Sequence, residues 1–364
     1  MELTLGKRLR ELPGPILVTG HTGFKGTWLT FLLERLNVPV IGLALAPEKD
    51  SLFDRANRTG TIPEEFIDIR DPEAVSKFMM KFQPSAVIHM AAKPLVLESY
   101  KTPRDTFETN VMGTVNVLNS AFKANFVEAV VVATTDKVYR NDNSGRAFVE
   151  TDPLAGKDPY SASKVGTESV VAAWQQIAKV SGGPKVISVR AGNVIGGGDW
   201  AEDRLMPDLI RGFIAGGPIQ IRNPQSARPW QHVLDPLHGY LLALESKLMG
   251  ADFNCMNFGP IGDSLTVKKV VELATGAWPS RIDVAYDLST GIHSTEATTL
   301  QLDSTLAAKL LHWKPVWSQE AAVSTTVEWW NQILNEKTKP FVQSGLDLIT
   351  MFDSIDLLTK NRIY

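Results

Sequence analysis

Along the first half of the chain, short apolar runs alternate with stretches whose apolar residues recur at helical spacing. Ile16-Leu-Val-Thr19 is the first such run, and residues 27–36 follow it with a helical pattern. Runs at 39–45, 65–68, 85–90, 129–134 and 185–190 repeat the theme, with helical patterns at 71–82, 103–124 and 160–180 between them. The runs are apolar nearly throughout rather than at every second residue, as strands covered on both faces must be. Strand and helix in turn predict a parallel, doubly wound α/β sheet.

Beyond Gly192 the pattern breaks. Gly196-Gly-Gly198, Pro207, Gly216-Gly-Pro218, Pro224, Pro229 and Pro236 divide the chain into short elements. Residues 1–191 therefore read as one domain and residues 192–364 mainly as a smaller C-terminal lobe, with runs at 218–221 and 255–258 positioned to return to the first sheet. Ligands of open parallel sheets bind beyond the carboxyl ends of the strands, so a lobe placed there would cover a substrate. The Trp-rich, amphipathic tail from Trp313 is expected to pack into the core.

A chain of 364 residues is long enough for two such units. A net charge of −3 points away from nucleic acid or a membrane surface as partner. The single cysteine, Cys255, leaves no internal disulfide, fits a reducing compartment and reads as a small buried residue. Residues 1–13 carry charges throughout, and no apolar run approaches the ~20 residues of a membrane span. A cytoplasmic location and no metal site are expected.

Candidate chemistry begins at Gly20-His-Thr-Gly-Phe-Lys-Gly26, between the first strand and the first helix. Glycines at this spacing allow a tight turn, close approach of a pyrophosphate and close helix packing. Gly20, Thr22, Gly23, Phe24, Lys25 and Gly26 are thus expected to cradle a dinucleotide, Lys25 either reaching a phosphate or standing in solvent. The acid that usually grips the adenosine ribose after the second strand is replaced by Ala46-Pro47, which leaves NAD against NADP open. Asp68-Ile69 follows the third strand, where Asp68 would accept from the adenine amino group or cap the next helix. Ala91 and Ala92 end the fourth strand with side chains small enough for a dinucleotide to pass. Tyr160 and Lys164 lie four apart on a helix and share a face. An ammonium there would lower the phenol's pKa and leave a base near a nicotinamide.

These segments, with Asn110 and Thr134-Thr-Asp-Lys137, resemble the extended short-chain dehydrogenase/reductase superfamily. Within it the chain resembles the nucleotide-sugar 4,6-dehydratases, in particular the CDP-glucose 4,6-dehydratases. The glycine loop with its His and Lys, Asn110-Val-Met-Gly-Thr114, Arg190-Ala-Gly-Asn-Val-Ile-Gly-Gly-Gly-Asp-Trp200 and Arg222-Asn-Pro-x-Ser-x-Arg-Pro-Trp-Gln-His232 carry that likeness. The resemblance implies a Rossmann-type domain, NAD as cofactor with Asn110 among its binding residues, a nucleotide sugar such as CDP-glucose as substrate, and a homodimer formed by the helices at 103–124 and 160–180.

It also implies roles. Tyr160 takes the proton of the sugar 4-hydroxyl, Thr135 hydrogen-bonds the 4-oxygen, and Asp136 protonates the departing 6-hydroxyl. Lys137 stands where related dehydratases carry Glu; it is the C5 base if burial depresses its pKa, or else the partner of Asp136 in an ion pair. Lys93 faces the sugar, Asn193 meets the diphosphate or sugar, and Arg228 meets the diphosphate through its planar fork. Arg204 and His232 contact the substrate or support residues that do. The chain departs from the group at Lys93, where Gln is usual, at Leu97, where Arg is usual, and in a shorter, less aromatic loop at 140–148. Two other readings compete with a dehydratase: a sugar-nucleotide 4-epimerase or reductase, which needs no acid such as Asp136 at the 6-hydroxyl, and a catalytically silent dinucleotide-binding protein, against which Thr135, Tyr160 and Lys164 speak.

Overall fold

The computed structural model describes residues 5–142, 144–221, 223–286 and 300–360. Asn143 of the 140–148 loop, Arg222 of the Arg-Asn-Pro motif and residues 1–4 lie outside the described residues.

Seven parallel strands form the central sheet: β1 (Ile16–Thr19), β2 (Val40–Ala44), β3 (Glu64–Phe66), β4 (Ala86–His89), β5 (Ala129–Ala133), β6 (Lys185–Ala191) and β7 (Cys255–Phe258), in the order β7-β6-β5-β4-β1-β2-β3. The register is set by pairs such as Ile16 with Val40 on one side and with Ala86 on the other. Alternation along a strand sends successive side chains to opposite faces. Ile16 and Val18 join one core with Trp28, Leu29 and Leu237, while Leu17 joins the other with Phe78, Val117 and Val171. Helices α1 (Phe24–Arg35) and, later in the chain, Leu234–Leu248 supply the first face. Helices α2 (Pro72–Phe82), α3 (Gly113–Lys123) and α4 (Pro159–Ser181) supply the second.

The strands and helices anticipated from the apolar pattern are present, with ends displaced by a few residues, as caps dictate. Asp71 caps α2 by accepting from the amides of Glu73 and Ala74, with Pro72 at the first helical position. The helix anticipated over 103–124 is broken in three. Pro103–Phe107 is α-helical, Glu108–Met112 forms a π-helical turn, and only then does α3 begin. Such turns insert a residue into the helical ladder and re-aim neighbouring side chains; here the re-aimed residue is Asn110.

Of the two runs positioned to return to the sheet, one does. β7 pairs with β6, Cys255 opposite Ser188. Ile219–Ile221 instead pairs in parallel with Val284–Tyr286, apart from the main sheet. Two further small sheets lie beside the carboxyl ends of the central strands: Asn193–Ile195 with Trp230–His232, and Ala227–Arg228 with Leu265–Thr266. Trp313, Trp317, Trp329 and Trp330 are all buried, so the tail is core, as its pattern predicts. Among the described residues no helix is long and apolar enough to cross a membrane.

Asp235, in the helix Leu234–Leu248, carries a cost that pH can reveal. Its Oδ1 accepts from the Val316 amide at 2.6 Å, while its Oδ2 has no partner, and burial pushes the carboxyl up to about 8. A carboxyl raised above its unfolded value of about 3.9 contributes its full stability only below that value, and loses it as pH rises toward the folded pKa. Asp235→Asn is therefore expected to raise Tm by about 3 °C or more at alkaline pH and to leave it nearly unchanged in mild acid. A calorimetric scan of both proteins across pH checks this; an equal shift at every pH would contradict it.

Candidate active site

The chain order reverses direction between β1 and β4, and the crevice of an open sheet lies beyond the carboxyl ends at such a switch point. A cavity of about 970 Å³ opens there, at the upper end of the roughly 300–1,000 Å³ usual for small-molecule sites. Its lining includes Gly20, Thr22, Gly23, Phe24, Lys25, Gly26, Asp68, Ile69, Ala91, Ala92 and Lys93 from the first domain. Thr135, Asp136, Lys137, Tyr160, Asn193, Arg204 and Arg228 complete the set of anticipated residues that face it.

Two of the loop glycines are demanded by the fold itself. Gly20 adopts φ +75°, and a Cβ on Gly26 would stand 2.0 Å from the Gly20 carbonyl oxygen. Gly23 is different. Its backbone is extended, it is exposed, and a Cβ there would meet nothing nearer than the Gly20 oxygen at 3.4 Å. It is also the N-cap of α1, and no side chain caps that helix end. The amides of the first turn thus face a cradle that a side chain on Gly23 would fill, which fits a pyrophosphate. Thr22 holds the cradle's rim by donating to the Leu45 carbonyl at 3.0 Å, and His21 turns away to meet Glu64 at 2.6 Å.

Asp68 sits at the cavity edge in a forked ion pair with Arg70, which holds its carboxyl below the usual range. It does not cap α2; Asp71 does. Lys25 is partly exposed and lines the cavity. Its ammonium lies 5.7 Å from the centre of the Tyr240 ring. Burial, aided by the charge of Arg204 and opposed by that of Asp136, pushes it down to about 8. Arg204 is itself tied to Asp199 at 3.0 Å.

The catalytic end is assembled from two segments. Asp158 caps α4 by accepting from the Ser161 amide, with Pro159 at the first helical position, so Tyr160 enters the cavity from a well-defined helix start. Thr135 caps a single 3₁₀ turn, Asp136–Val138, after β5. Its hydroxyl donates to Asp136 Oδ1 at 3.0 Å, while Asp136 Oδ2 is buried without a hydrogen-bond partner. The Asp136–Lys137 ion pair left open by the sequence does not form among the described residues; Lys137 is half-buried on the cavity wall.

At four positions the structure adds to or differs from what the sequence suggested. First, the Tyr160 phenol is not lowered: burial pushes it up to about 12, against the opposing effect of the Thr135 hydroxyl. Second, Lys164 stands behind the cavity wall and donates to the Ala133 carbonyl at 3.0 Å; burial, aided by the Lys25 charge and opposed by Glu168, pushes it down to about 7. Third, Asn110 does not face the cavity. Its side chain accepts from the Lys93 amide at 2.8 Å and donates to the Lys93 carbonyl and to Ser163 Oγ, so it fixes the Lys93 loop from behind. Fourth, His232 is not at the cavity. Trp230 is level with Asn193 and His232 with Ile195; Asn193, Ile195 and Trp230 line the cavity, whereas His232 is fully buried in the core. There it packs against Trp317 and Trp28, and burial pushes it down to about 3. Conversely, Trp200 and Trp230 line the cavity without having been singled out; both lie within the two long motifs.

Sequence comparison agrees with this geometry. The profile of the NAD dependent epimerase/dehydratase family matches residues 16–257. The chain belongs to that family. A family that is NAD dependent decides the cofactor question that the end of β2 left open. Among curated members, a CDP-glucose 4,6-dehydratase from Salmonella typhimurium is 41% identical over 323 residues, 86% of this chain and 89% of the relative. A dTDP-glucose 4,6-dehydratase from Haemophilus influenzae is 29% identical, over 86% of this chain and 97% of that one. Among solved structures, DesIV, a dTDP-glucose 4,6-dehydratase from Streptomyces venezuelae, superimposes with a TM-score of 0.74 at 24% identity, over 90% of this chain and 99% of that one. The UDP-glucose 4-epimerase of Thermus thermophilus does so equally well, with 24% identity over 87% and 99% of the two chains. Fold alone therefore does not separate the family's reactions.

Proposed function

We propose that this family member is an NAD-dependent nucleotide-sugar 4,6-dehydratase, a hydro-lyase that converts CDP-glucose to CDP-4-keto-6-deoxyglucose. The observation that carries the reading is Asp136: a carboxylate only 1% exposed, on the cavity wall beside Thr135, with one oxygen lacking any protein partner. A buried unpaired oxygen of this kind is costly unless a ligand uses it. A 4-epimerase leaves the 6-hydroxyl in place and needs no acid to expel it. The identity to the Salmonella typhimurium enzyme supports CDP-glucose over other sugar nucleotides.

In this reading residues 1–191 hold the dinucleotide and residues 192–364 mainly the sugar nucleotide. NAD, when bound, supplies the hydride acceptor for oxidation at C4 and the hydride donor at C6. Tyr160 removes the 4-hydroxyl proton while Thr135 holds the 4-oxygen. The resting phenol is protonated near neutral pH, so it must give up its own proton as it takes that of the 4-hydroxyl, and Lys164, poised at about 7, is the group available to receive it. The ketone acidifies C5; Lys137 is the base assigned to that proton, and Asp136 gives one to the departing 6-hydroxyl, so that one water leaves. Asn193 and Arg228 hold the diphosphate, and Arg204 steadies that end through Asp199. Lys93, pinned by Asn110 and within 3.6 Å of Asp105, borders the sugar. A cytoplasmic homodimer completes the reading; exposed Phe107 and Met112, beside α3, and Ile177, on α4, offer apolar surface for it.

Incubation of the purified protein with CDP-glucose and NAD, with the product weighed by mass spectrometry, tests the function. Loss of one water without net reduction of the cofactor is the expected result. A product of unchanged mass and altered stereochemistry would replace the reading with epimerisation.

A further inference from the structure

The proposed reaction requires Tyr160 and Lys164, on a helix, to meet Thr135 and Asp136, which follow a strand, at a fixed separation. Neither segment sets that separation alone. Glu168 lies one helical turn beyond Lys164 and is 7% exposed. Its Oε1 accepts from Thr134 Oγ1 at 2.6 Å and from Arg190 Nε at 2.8 Å; its Oε2 accepts from Ser188 Oγ and Arg190 Nη2, both at 2.8 Å. One carboxylate of α4 is thereby held by the residue preceding Thr135 and by two positions of β6. Arg190 donates onward to Tyr139 Oη at 2.8 Å and to the Glu150 carbonyl at 3.1 Å, and Tyr139 donates to Asn257 on β7 at 2.7 Å. Neither Glu168 nor Arg190 lines the cavity.

Energetics separate scaffolding from positioning. A buried ion pair adds little net stability over apolar residues of the same volume, because desolvating both charges costs about what their attraction returns. What such a pair adds is direction: the guanidinium fork and carboxylate meet in one plane, and here every oxygen is doubly engaged. Burial works to raise the Glu168 carboxyl, yet Arg190 and the two hydroxyls outweigh it and hold it below its usual range, so the pair stays ionised.

We propose that the Glu168–Arg190 pair is the positioning device of the active site: it locks the end of β5 to α4 and β6, presenting Thr135 and Asp136 at a set distance from Tyr160. The proposal rests on the dehydratase reading for its kinetic test but not for its structural one. The variants are Glu168→Gln and the neutral pair Glu168→Gln/Arg190→Gln. Steady-state kinetics on CDP-glucose with NAD, thermal unfolding, and hydrogen exchange of the whole protein read by mass are compared with wild type.

Glu168→Gln is expected to lower kcat by about tenfold or more while KM stays within about twofold, since small misplacement of reacting groups costs rate more than affinity. Exchange should quicken in peptides covering 131–139 and 159–168 and stay unchanged over β2 and β3. The neutral pair should regain stability lost through the unpaired Arg190 without regaining kcat. Unchanged kcat, recovery of kcat together with stability, or exchange that rises evenly across the chain would each overturn the proposal. If wild type itself leaves CDP-glucose unchanged, the dehydratase reading falls and the exchange pattern alone decides: local quickening supports the pair's role, and its absence overturns it.

Discussion

Replacing Tyr160 by phenylalanine is expected to cut turnover of CDP-glucose by about 10³-fold, the usual worth of a positioned acid–base group, which corresponds to about 4 kcal/mol of transition-state stabilisation. Binding of NAD should be nearly unaffected, because the cradle at Gly23 and the α1 amides makes no use of the phenol. The fold should survive as well. The Tyr160 hydroxyl is buried and its removal leaves Thr135 with its Asp136 and Lys137 contacts intact. Single-turnover kinetics with the variant, beside a binding titration, make the check. Turnover within tenfold of wild type would remove Tyr160 from the oxidation step and leave the 4-hydroxyl proton without an acceptor in the proposed site.

The second large effect is expected to separate the two halves of the reaction. Asp136→Asn retains the shape of the side chain and its contact with Thr135 but cannot deliver a proton to the 6-hydroxyl. Loss of water should slow by about 10²-fold, while oxidation at C4 and proton exchange at C5 continue. In deuterated water the recovered CDP-glucose should therefore gain a deuterium at C5, through the half-buried Lys137 that solvent reaches. Mass and proton spectra of recovered substrate read this directly. If substrate returns without deuterium and no product forms, Asp136 serves oxidation as much as elimination, and the division of labour between Asp136 and Tyr160 fails. The corresponding Lys137→Met variant should abolish the exchange and leave C4 oxidation in place.

The fold and the position of the glycine loop between strand and helix were legible because their determinants are local. A glycine loop between a strand and a helix, and a Tyr and Lys one turn apart, are statements about residues within a few positions of one another, and backbone geometry converts such spacing into shared faces. Departures arose where the outcome depends on how distant segments pack. His232 belongs to a motif whose Arg228 reaches the cavity, yet its ring is fully buried against Trp28 and Trp317, which come from distant segments. Asn110 looks like a cofactor ligand from its place in the chain, but the π-helical turn aims its amide at the Lys93 loop. Lys25, which spacing alone left between phosphate and solvent, lines the cavity with its ammonium 5.7 Å from the Tyr240 ring, on a helix that the sequence places more than two hundred residues later.

By itself the sequence determined the class of fold, the order of its strands and helices, the glycine loop between strand and helix and the placing of Tyr160 and Lys164 on one helix, since periodicity and short-range spacing suffice for each. Only the tertiary structure decided that β7 closes the sheet while Ile219–Ile221 pairs elsewhere, and that the Glu168 carboxylate joins three elements behind the site. The charge states followed the same division: a phenol raised to about 12 and a lysine lowered to about 7 express how much water each group has lost and which charges stand near it. Desolvation and through-space charge are properties of packing between remote segments, and spacing along the chain does not carry them.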